Sequence, residues 1–136
     1  EPKIQEKLSI LTEVGLDYIQ LGQTSSTLSA GEAQRLKLAN FLRSASSRHA
    51  LIIMDEPTTG LHFYDVEKLI RCMQKLVDAG HSLIVVEHNE QILNAADWII
   101  DMGPGSAERG GRAVASGPPT SIMQCQESKT AYHLRS

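Results

Sequence analysis

The feature that most constrains the fold of this chain is an apolar run, residues 51–54, which ends in two adjacent carboxylates, Asp55 and Glu56, followed by Pro57 and Gly60. A short apolar run bounded by turn residues is typical of a strand buried in a parallel sheet. Ligands of open α/β sheets bind at the carboxyl ends of such strands, so Asp55 and Glu56 are predicted to lie at a functional site. There an Asp can hold Mg²⁺, and a neighbouring Glu can orient or deprotonate a water molecule. The alternative is that Asp55 and Glu56 are only solvent-exposed carboxylates at a strand end. Their position directly after the apolar run, rather than in the following turn, disfavours this alternative.

The rest of the chain alternates between helix and strand patterns. Strands are predicted at residues 51–54, 82–87, 98–102 and 112–116, and helices at residues 3–14, 29–43, 65–79, 90–95 and 119–125. Loops are expected at residues 22–26 and 44–47, and a glycine-rich turn at residues 103–111. This order indicates an α/β fold with a mostly parallel sheet flanked by helices, in which residues 98–102 form a third strand. The last two strands form a C-terminal antiparallel hairpin.

Composition limits the kinds of partner. The 136 residues suffice for one domain with a core, and they contain 4% aromatic residues and a net charge of −3. Base-stacking platforms and a large basic footprint for nucleic acid are therefore not expected. A DNA contact would need a local patch such as Arg35, Lys37, Arg43 and Arg48.

The cysteines and the hydropathy pattern exclude further classes. Cys72 and Cys125 have no Cys or His at metal-ligand spacing, so neither a zinc site nor a disulfide framework is expected. Cys72 falls on the apolar side of a predicted helix and is expected in the core. The chain has no apolar stretch long enough to span a membrane.

The segment Ser29-Ala30-Gly31-Glu32 has two interpretations that the pattern leaves open. It matches a capping box, in which Ser at the N-cap and Glu three residues later start a helix. It also suits an anion site, because a Ser hydroxyl and backbone N–H groups at a helix N-terminus, beside a Gly, can hold a phosphate.

His88 follows the second predicted strand, so it is expected near Asp55 and Glu56. In that position it would donate a hydrogen bond to a phosphate or hold an attacking water molecule. Taken alone, a histidine at a strand end is more often a surface or capping residue. The glycines between residues 103 and 111 match neither the dinucleotide fingerprint nor the P-loop, which favours a hairpin turn there.

Together these residues resemble the ATP-binding cassette (ABC) ATPases. Residues 28–34 resemble their signature motif, residues 51–56 their Walker B strand, residues 57–62 their D-loop, and His88 their switch histidine. One branch of the family recognises damaged DNA in bacterial nucleotide excision repair. The chain is similar to the carboxy-terminal ATPase half of that branch over the stretches GEAQRLKLA, DEPTTGLH, VVEHN and ADWIIDMGP.

The resemblance implies a partial P-loop NTPase fold of the ABC type, with a signature-motif helical segment at residues 1–48 and the Walker B and switch-histidine part of the core at residues 49–136. It implies ATP and Mg²⁺ as cofactors, a cytoplasmic location, and damaged DNA, a second copy of the protein and a downstream repair protein as partners. It also implies a role for each site residue: nucleotide contact for Ser29, Gly31, Glu32 and Gln34, water-mediated Mg²⁺ binding for Asp55, water activation for Glu56, and γ-phosphate sensing for His88. In the family the ATP sites are composite, so the signature residues would face a different ATP from the one served by Asp55.

Two departures from the family pattern matter. Ala30 stands where the signature usually has its first glycine, and no Gly-x-x-x-x-Gly-Lys-[Ser/Thr] motif occurs in the chain. We therefore expect the tail end of a longer protein, inactive by itself. A non-catalytic interaction or regulatory module is the alternative that the missing motif favours. Another ABC ATPase, such as a transport or resistance protein, is a further alternative, against which the Ala-Asp-Trp stretch argues.

Overall fold

The computed structural model describes residues 2–43, 49–103 and 111–134 and divides into two compact units, Glu1–Glu87 and His88–Ser136. The first unit contains, in chain order, α1 (Pro2–Glu13), a 3₁₀ turn (Ser25–Thr27), α2 (Ala30–Arg43), β1 (Leu51–Asp55), α3 (Phe63–Asp78) and β2 (Ser82–Val86). The second unit contains α4 (Glu90–Ala95), β3 (Ile99–Gly103), β4 (Arg112–Gly117), α5 (Pro119–Ile122) and α6 (Thr130–Leu134).

The core of the first unit forms between α3 and one face of a parallel strand pair. Strands β1 and β2 pair with Ile53 opposite Ile84 and Asp55 opposite Val86. Side chains alternate between the faces of a strand, so Met54 is buried while its neighbour Ile53 is exposed. The apolar stripe of α3 is buried at i, i+3, i+6, i+7 and i+10, through Val66, Leu69, Cys72, Met73 and Leu76. The core position predicted for Cys72 is therefore confirmed.

The second unit is organised around an antiparallel strand pair. Strands β3 and β4 pair with Ile99 opposite Gly117, and the register shifts between Asp101 and Met102. A small core packs behind them, consisting of Ile99, Ile122, Ala131 and Leu134. Ser128, two residues before α6, caps the start of that helix, because its Oγ accepts a hydrogen bond from the Ala131 N–H at 3.0 Å.

The α/β class and most of the predicted elements are confirmed, with three corrections. The predicted third strand forms and pairs with β4 in the predicted antiparallel hairpin, but the parallel sheet has two strands, β1 and β2, in the described part of the chain. Apolar content identifies a strand but not its hydrogen-bonding partner. Helix α3 begins at Phe63 rather than Asp65, since His62 C=O already accepts the first helical hydrogen bonds. Helix α6 was not predicted, because five residues are too few to show a helical period.

The predicted loop at 44–47, Arg48 of the suggested basic patch, and the predicted turn at 103–111 except its two end residues lie outside the described residues. The segment division at residue 48 stays a prediction. The longest described helix, α3, has 16 residues, and across residues 2–43, 49–103 and 111–134 none combines the length and apolarity required to cross a bilayer.

Candidate functional site

Helix α2 begins with the predicted capping box. The Ser29 N–H donates to Glu32 Oε2 at 2.7 Å, and the Glu32 N–H donates to Ser29 Oγ at 3.2 Å. The hydroxyl of Tyr18 donates to the other carboxylate oxygen of Glu32. These hydrogen bonds, that from Tyr18 first, lower the pKa of Glu32 below its ordinary value. Partial burial and the neighbouring carboxylate raise the pKa of Tyr18.

The start of α2 has the chemistry of an anion site. Ser29 is exposed, and a hydroxyl that accepts one hydrogen bond can still donate its own hydrogen. The N-terminus of a 14-residue helix adds a partial positive charge directed at the same point. The capping box is thus compatible with phosphate binding, because the cap occupies the acceptor side of the hydroxyl.

Gly31 lets this helix start approach the turn that follows β1. A Cβ added at Gly31 would lie 3.2 Å from the Thr59 carbonyl oxygen and 3.2 Å from Arg35 Nη1. Both distances are tighter than ordinary van der Waals contact, so a side chain here would push the turn away from α2. Gly31 therefore allows the start of α2 to pack closely against the turn after β1. The sequence analysis had assigned these two segments to separate motifs.

Arg35 fastens α2 to the same turn from inside the protein. Its side chain is fully buried, and Nη1 donates to the carbonyl oxygens of Pro57 at 2.8 Å and Thr59 at 3.2 Å. Arg35 is therefore not available to the local basic patch that a DNA contact would need. Its charge faces backbone carbonyls instead of solvent, whereas Lys37 is exposed.

Gln34 contacts the backbone of Asp55 at both of its polar groups. The Gln34 amide nitrogen donates to the Asp55 carbonyl oxygen, and the Asp55 N–H donates to Gln34 Oε1 at 2.8 Å. The Ala50 carbonyl and the Glu56 N–H point the other way, to β2, with distances of 2.9 Å to Ser82 N and to Val86 O. Backbone groups alternate between the two edges of a strand, so Gln34 occupies the edge of β1 that faces away from β2.

Asp55 and Glu56 are exposed at the carboxyl end of β1, where the sequence placed them. Glu56 has φ of +44°, and no other non-glycine residue of the described ranges has a positive φ. This conformation costs an L-residue about 1–2 kcal/mol. Strain of this kind persists where the surrounding structure enforces it, and it is concentrated at functional sites. Side-chain chemistry singled out Glu56, but nothing in its sequence context signalled the unusual backbone.

Glu87 holds the turn from the side of β2, and sequence reasoning assigned it no function. The Thr58 N–H donates to Glu87 Oε1 at 2.9 Å, and the Thr58 hydroxyl donates to the same oxygen. Glu87 directly follows β2, and the exposed His88 comes next as the first residue of the second unit. The only sequence signal was that Glu87 belongs to a polar cluster closing the strand.

Ser29, Gly31, Glu32 and Gln34 lie in the same unit as Asp55 and Glu56, and of these four Gln34 contacts Asp55 directly, whereas His88 belongs to the second unit. Nowhere in the described ranges do three or more His, Cys, Asp or Glu side chains group as a metal site. A single carboxylate such as Asp55 suits Mg²⁺, which keeps several waters and takes further oxygens from substrate phosphates.

Comparison with known proteins identifies relatives along nearly the whole chain. No family model matches it. UvrABC system protein A from Rickettsia prowazekii (strain Madrid E) is 51% identical over 134 residues, and that from Aquifex aeolicus (strain VF5) is 52% identical over 134 residues. In each case the match covers 98% of this chain and 14% of the relative. The crystal structure of UvrA2 from Deinococcus radiodurans superposes with a TM-score of 0.86 at 51% identity, covering 98% of this chain and 16% of that chain.

A strand end with two carboxylates, packed against a capped helix in an α/β fold, is the arrangement expected of the ABC-type ATPases that the motifs resemble. The identity over nearly the whole chain narrows this class further. The chain belongs to the UvrA proteins and corresponds to about one seventh of their length. The resemblance predicted from the motifs is thereby confirmed.

Proposed function

We propose that this chain supplies part of an ATP-hydrolysing site in a UvrA-type ATPase, which couples ATP binding and hydrolysis to recognition of damaged DNA in nucleotide excision repair. The observation that carries the proposal is the end of β1, where Asp55 and Glu56 are exposed and the following turn is fastened to the start of α2 by Arg35. Such an arrangement suits phosphoryl transfer, in which catalysis rests on positioned charges and donors.

The strand-end residues have complementary roles. Asp55 would hold Mg²⁺ through water, and the bound ion neutralises charge that develops on the phosphates. Glu56 accepts a proton from the attacking water and orients it. His88 donates a hydrogen bond to the γ-phosphate and so senses its presence.

The start of α2 serves a second ATP. Ser29 donates its hydroxyl hydrogen to a phosphate oxygen, and Gly31 allows the backbone to approach it. Glu32 and Gln34 support this nucleotide contact, Glu32 by capping the helix and Gln34 by fixing α2 to Asp55. Ala30 leaves both direct contacts in place.

The site is completed by other parts of the protein. The chain contains no Gly-x-x-x-x-Gly-Lys-[Ser/Thr] motif, so the loop that cradles the phosphates comes from elsewhere, and the isolated chain is inactive. The partners are a second UvrA copy, a UvrB-like protein and damaged DNA, in the cytoplasm. They are engaged through the whole protein.

The test is Glu56→Gln in a full-length UvrA that carries this chain in place of its corresponding segment. We expect ATP binding to persist and hydrolysis to fall by about 100-fold or more, since the amide cannot accept the proton of the attacking water. Turnover is measured by phosphate release and binding by a fluorescent nucleotide. Glu67→Gln, an exposed glutamate on α3, is the matched control and should keep full turnover. Unchanged hydrolysis in Glu56→Gln would sink the proposal.

A further inference from the structure

The turn at residues 57–60 must be held in place for Glu56 to keep its positive φ. Within the turn, the Thr59 N–H donates to the Glu56 carbonyl at 3.1 Å and the Leu61 N–H donates to the Thr58 carbonyl at 2.9 Å. These local hydrogen bonds close the turn but do not fix it relative to β2. Arg35 reaches the carbonyls of Pro57 and Thr59, which leaves the donor groups of Thr58 to another partner.

That partner is Glu87, whose Oε1 accepts from both the backbone N–H and the hydroxyl of Thr58. A carboxylate that accepts two hydrogen bonds is a strong anchor, because charged acceptors form shorter and stronger bonds than neutral ones. Glu87 is half-buried, as is Thr58, which limits competition from water. The contact joins the turn after β1 to the end of β2.

We infer that Glu87 is a positioning residue for the hydrolytic reaction: through Thr58 it holds the turn that sets the place of the Glu56 carboxylate. Glu87 is the last residue of the first unit, and His88 follows it in the sequence. The inference rests on the proposed function of Glu56. It assigns Glu87 no contact with the reacting atoms.

The experiment uses the same full-length UvrA carrying this chain. Glu87→Ala removes the acceptor, and we expect kcat to fall about 10- to 100-fold while KM for ATP stays unchanged, because a displaced water-activating group weakens the chemical step rather than nucleotide binding. Thr58→Val removes the hydroxyl donor at nearly constant volume and should lower kcat less than Glu87→Ala. Glu87→Gln and Thr58→Ser keep the hydrogen-bonding groups and should retain most of the turnover.

The double variant Glu87→Ala/Thr58→Val separates this inference from independent effects. If the two residues act through their mutual contact, the double variant loses no more than Glu87→Ala alone. The inference would be overturned if the loss of kcat in the double variant equalled the product of the two single losses. Wild-type kcat in both single variants would also overturn it. Thr58→Val tests the same contact should Glu87→Ala fail to fold, and Glu67→Ala is the exposed control.

The two proposals fail differently. Full turnover in Glu56→Gln refutes the proposed function itself. Lost turnover in Glu56→Gln together with full turnover in Glu87→Ala and Thr58→Val refutes only the positioning role of Glu87.

Discussion

Among single residues, Glu32 combines the most contacts at the start of α2. Its two carboxylate oxygens accept from Ser29 N–H and the Tyr18 hydroxyl, and its own N–H donates to Ser29. The ionised carboxylate accepts these hydrogen bonds more strongly than the neutral acid does, so they lower the pKa of Glu32. A group whose folded pKa is lowered stabilises the protein above its unfolded pKa and loses that contribution as pH falls through the folded value.

We therefore expect the stability advantage of the wild-type chain over Glu32→Gln to shrink as pH falls through the lowered pKa of Glu32. The glutamine keeps an acceptor for Ser29 but does not titrate. The measurement is urea denaturation followed by circular dichroism at several pH values between about 6 and 3. Tyr18→Phe removes the largest cause of the lowered pKa of Glu32. The stability difference between Tyr18→Phe and the double variant Tyr18→Phe/Glu32→Gln should therefore decrease less as pH falls. An advantage that stays constant over this pH range would contradict the assignment.

Residue chemistry could be predicted further than residue conformation. Asp55 and Glu56 were placed at a functional strand end from charge and apolar context alone. The positive φ of Glu56 and the burial of Arg35 were not predictable, because both are imposed by segments far away in the sequence. An arginine one turn into an amphipathic helix has no sequence signal that separates solvent contact from buried contact with carbonyls.

At the scale of elements, α2 and the turn after β1 form one connected unit. Arg35 supplies the buried link, and the close packing at Gly31 removes the space between the two segments. Helix α2 and the turn carry residues proposed to contact different ATP molecules. Because Arg35 and Gly31 hold the two segments together, a movement of one segment at its own ATP would also move the other.

Arg35→Met tests the link. We expect the chain to lose about 2–3 kcal/mol of stability, because the buried Pro57 carbonyl is left without its donor and the bond to the Thr59 carbonyl is lost. The measurement is the free energy of unfolding in urea. Lys37→Met, an exposed position two residues along the same helix, is the control and should change stability by less than about 0.5 kcal/mol. Equal stability of both variants would show that the buried guanidinium contributes nothing.

Element type was easier to predict than element partnership. The parallel β1–β2 pair follows from two apolar runs that end in polar residues. The hairpin of β3 and β4 was also predicted, but the third run was expected in the parallel sheet as well, because the apolar pattern does not show which backbone edges meet.

At the scale of the whole molecule, the chain spans 14% of the length of the relatives compared with it. It carries strand-end carboxylates and a signature-type helix but no phosphate-cradling loop motif. Nucleotide affinity in such sites depends heavily on that loop, whose backbone N–H groups surround the phosphates.

The isolated chain should therefore bind ATP weakly or not at all, even with Mg²⁺ present. Isothermal titration calorimetry of the 136-residue chain measures this directly. A full-length UvrA carrying the chain, measured under the same conditions, is the positive control. A micromolar dissociation constant for the isolated chain would mean that α2 and the β1 end form a self-sufficient nucleotide site.

The contact between Gln34 and Asp55 has a consequence for how the sheet can grow. A side-chain amide presents one donor and one acceptor, as a backbone peptide group does, so Gln34 imitates a single residue of a neighbouring strand. A further strand joining this edge of β1 could pair with Leu51 and Ile53, but it would find the position beside Asp55 already taken. Pairing along this edge of β1 would therefore end before it reached Asp55.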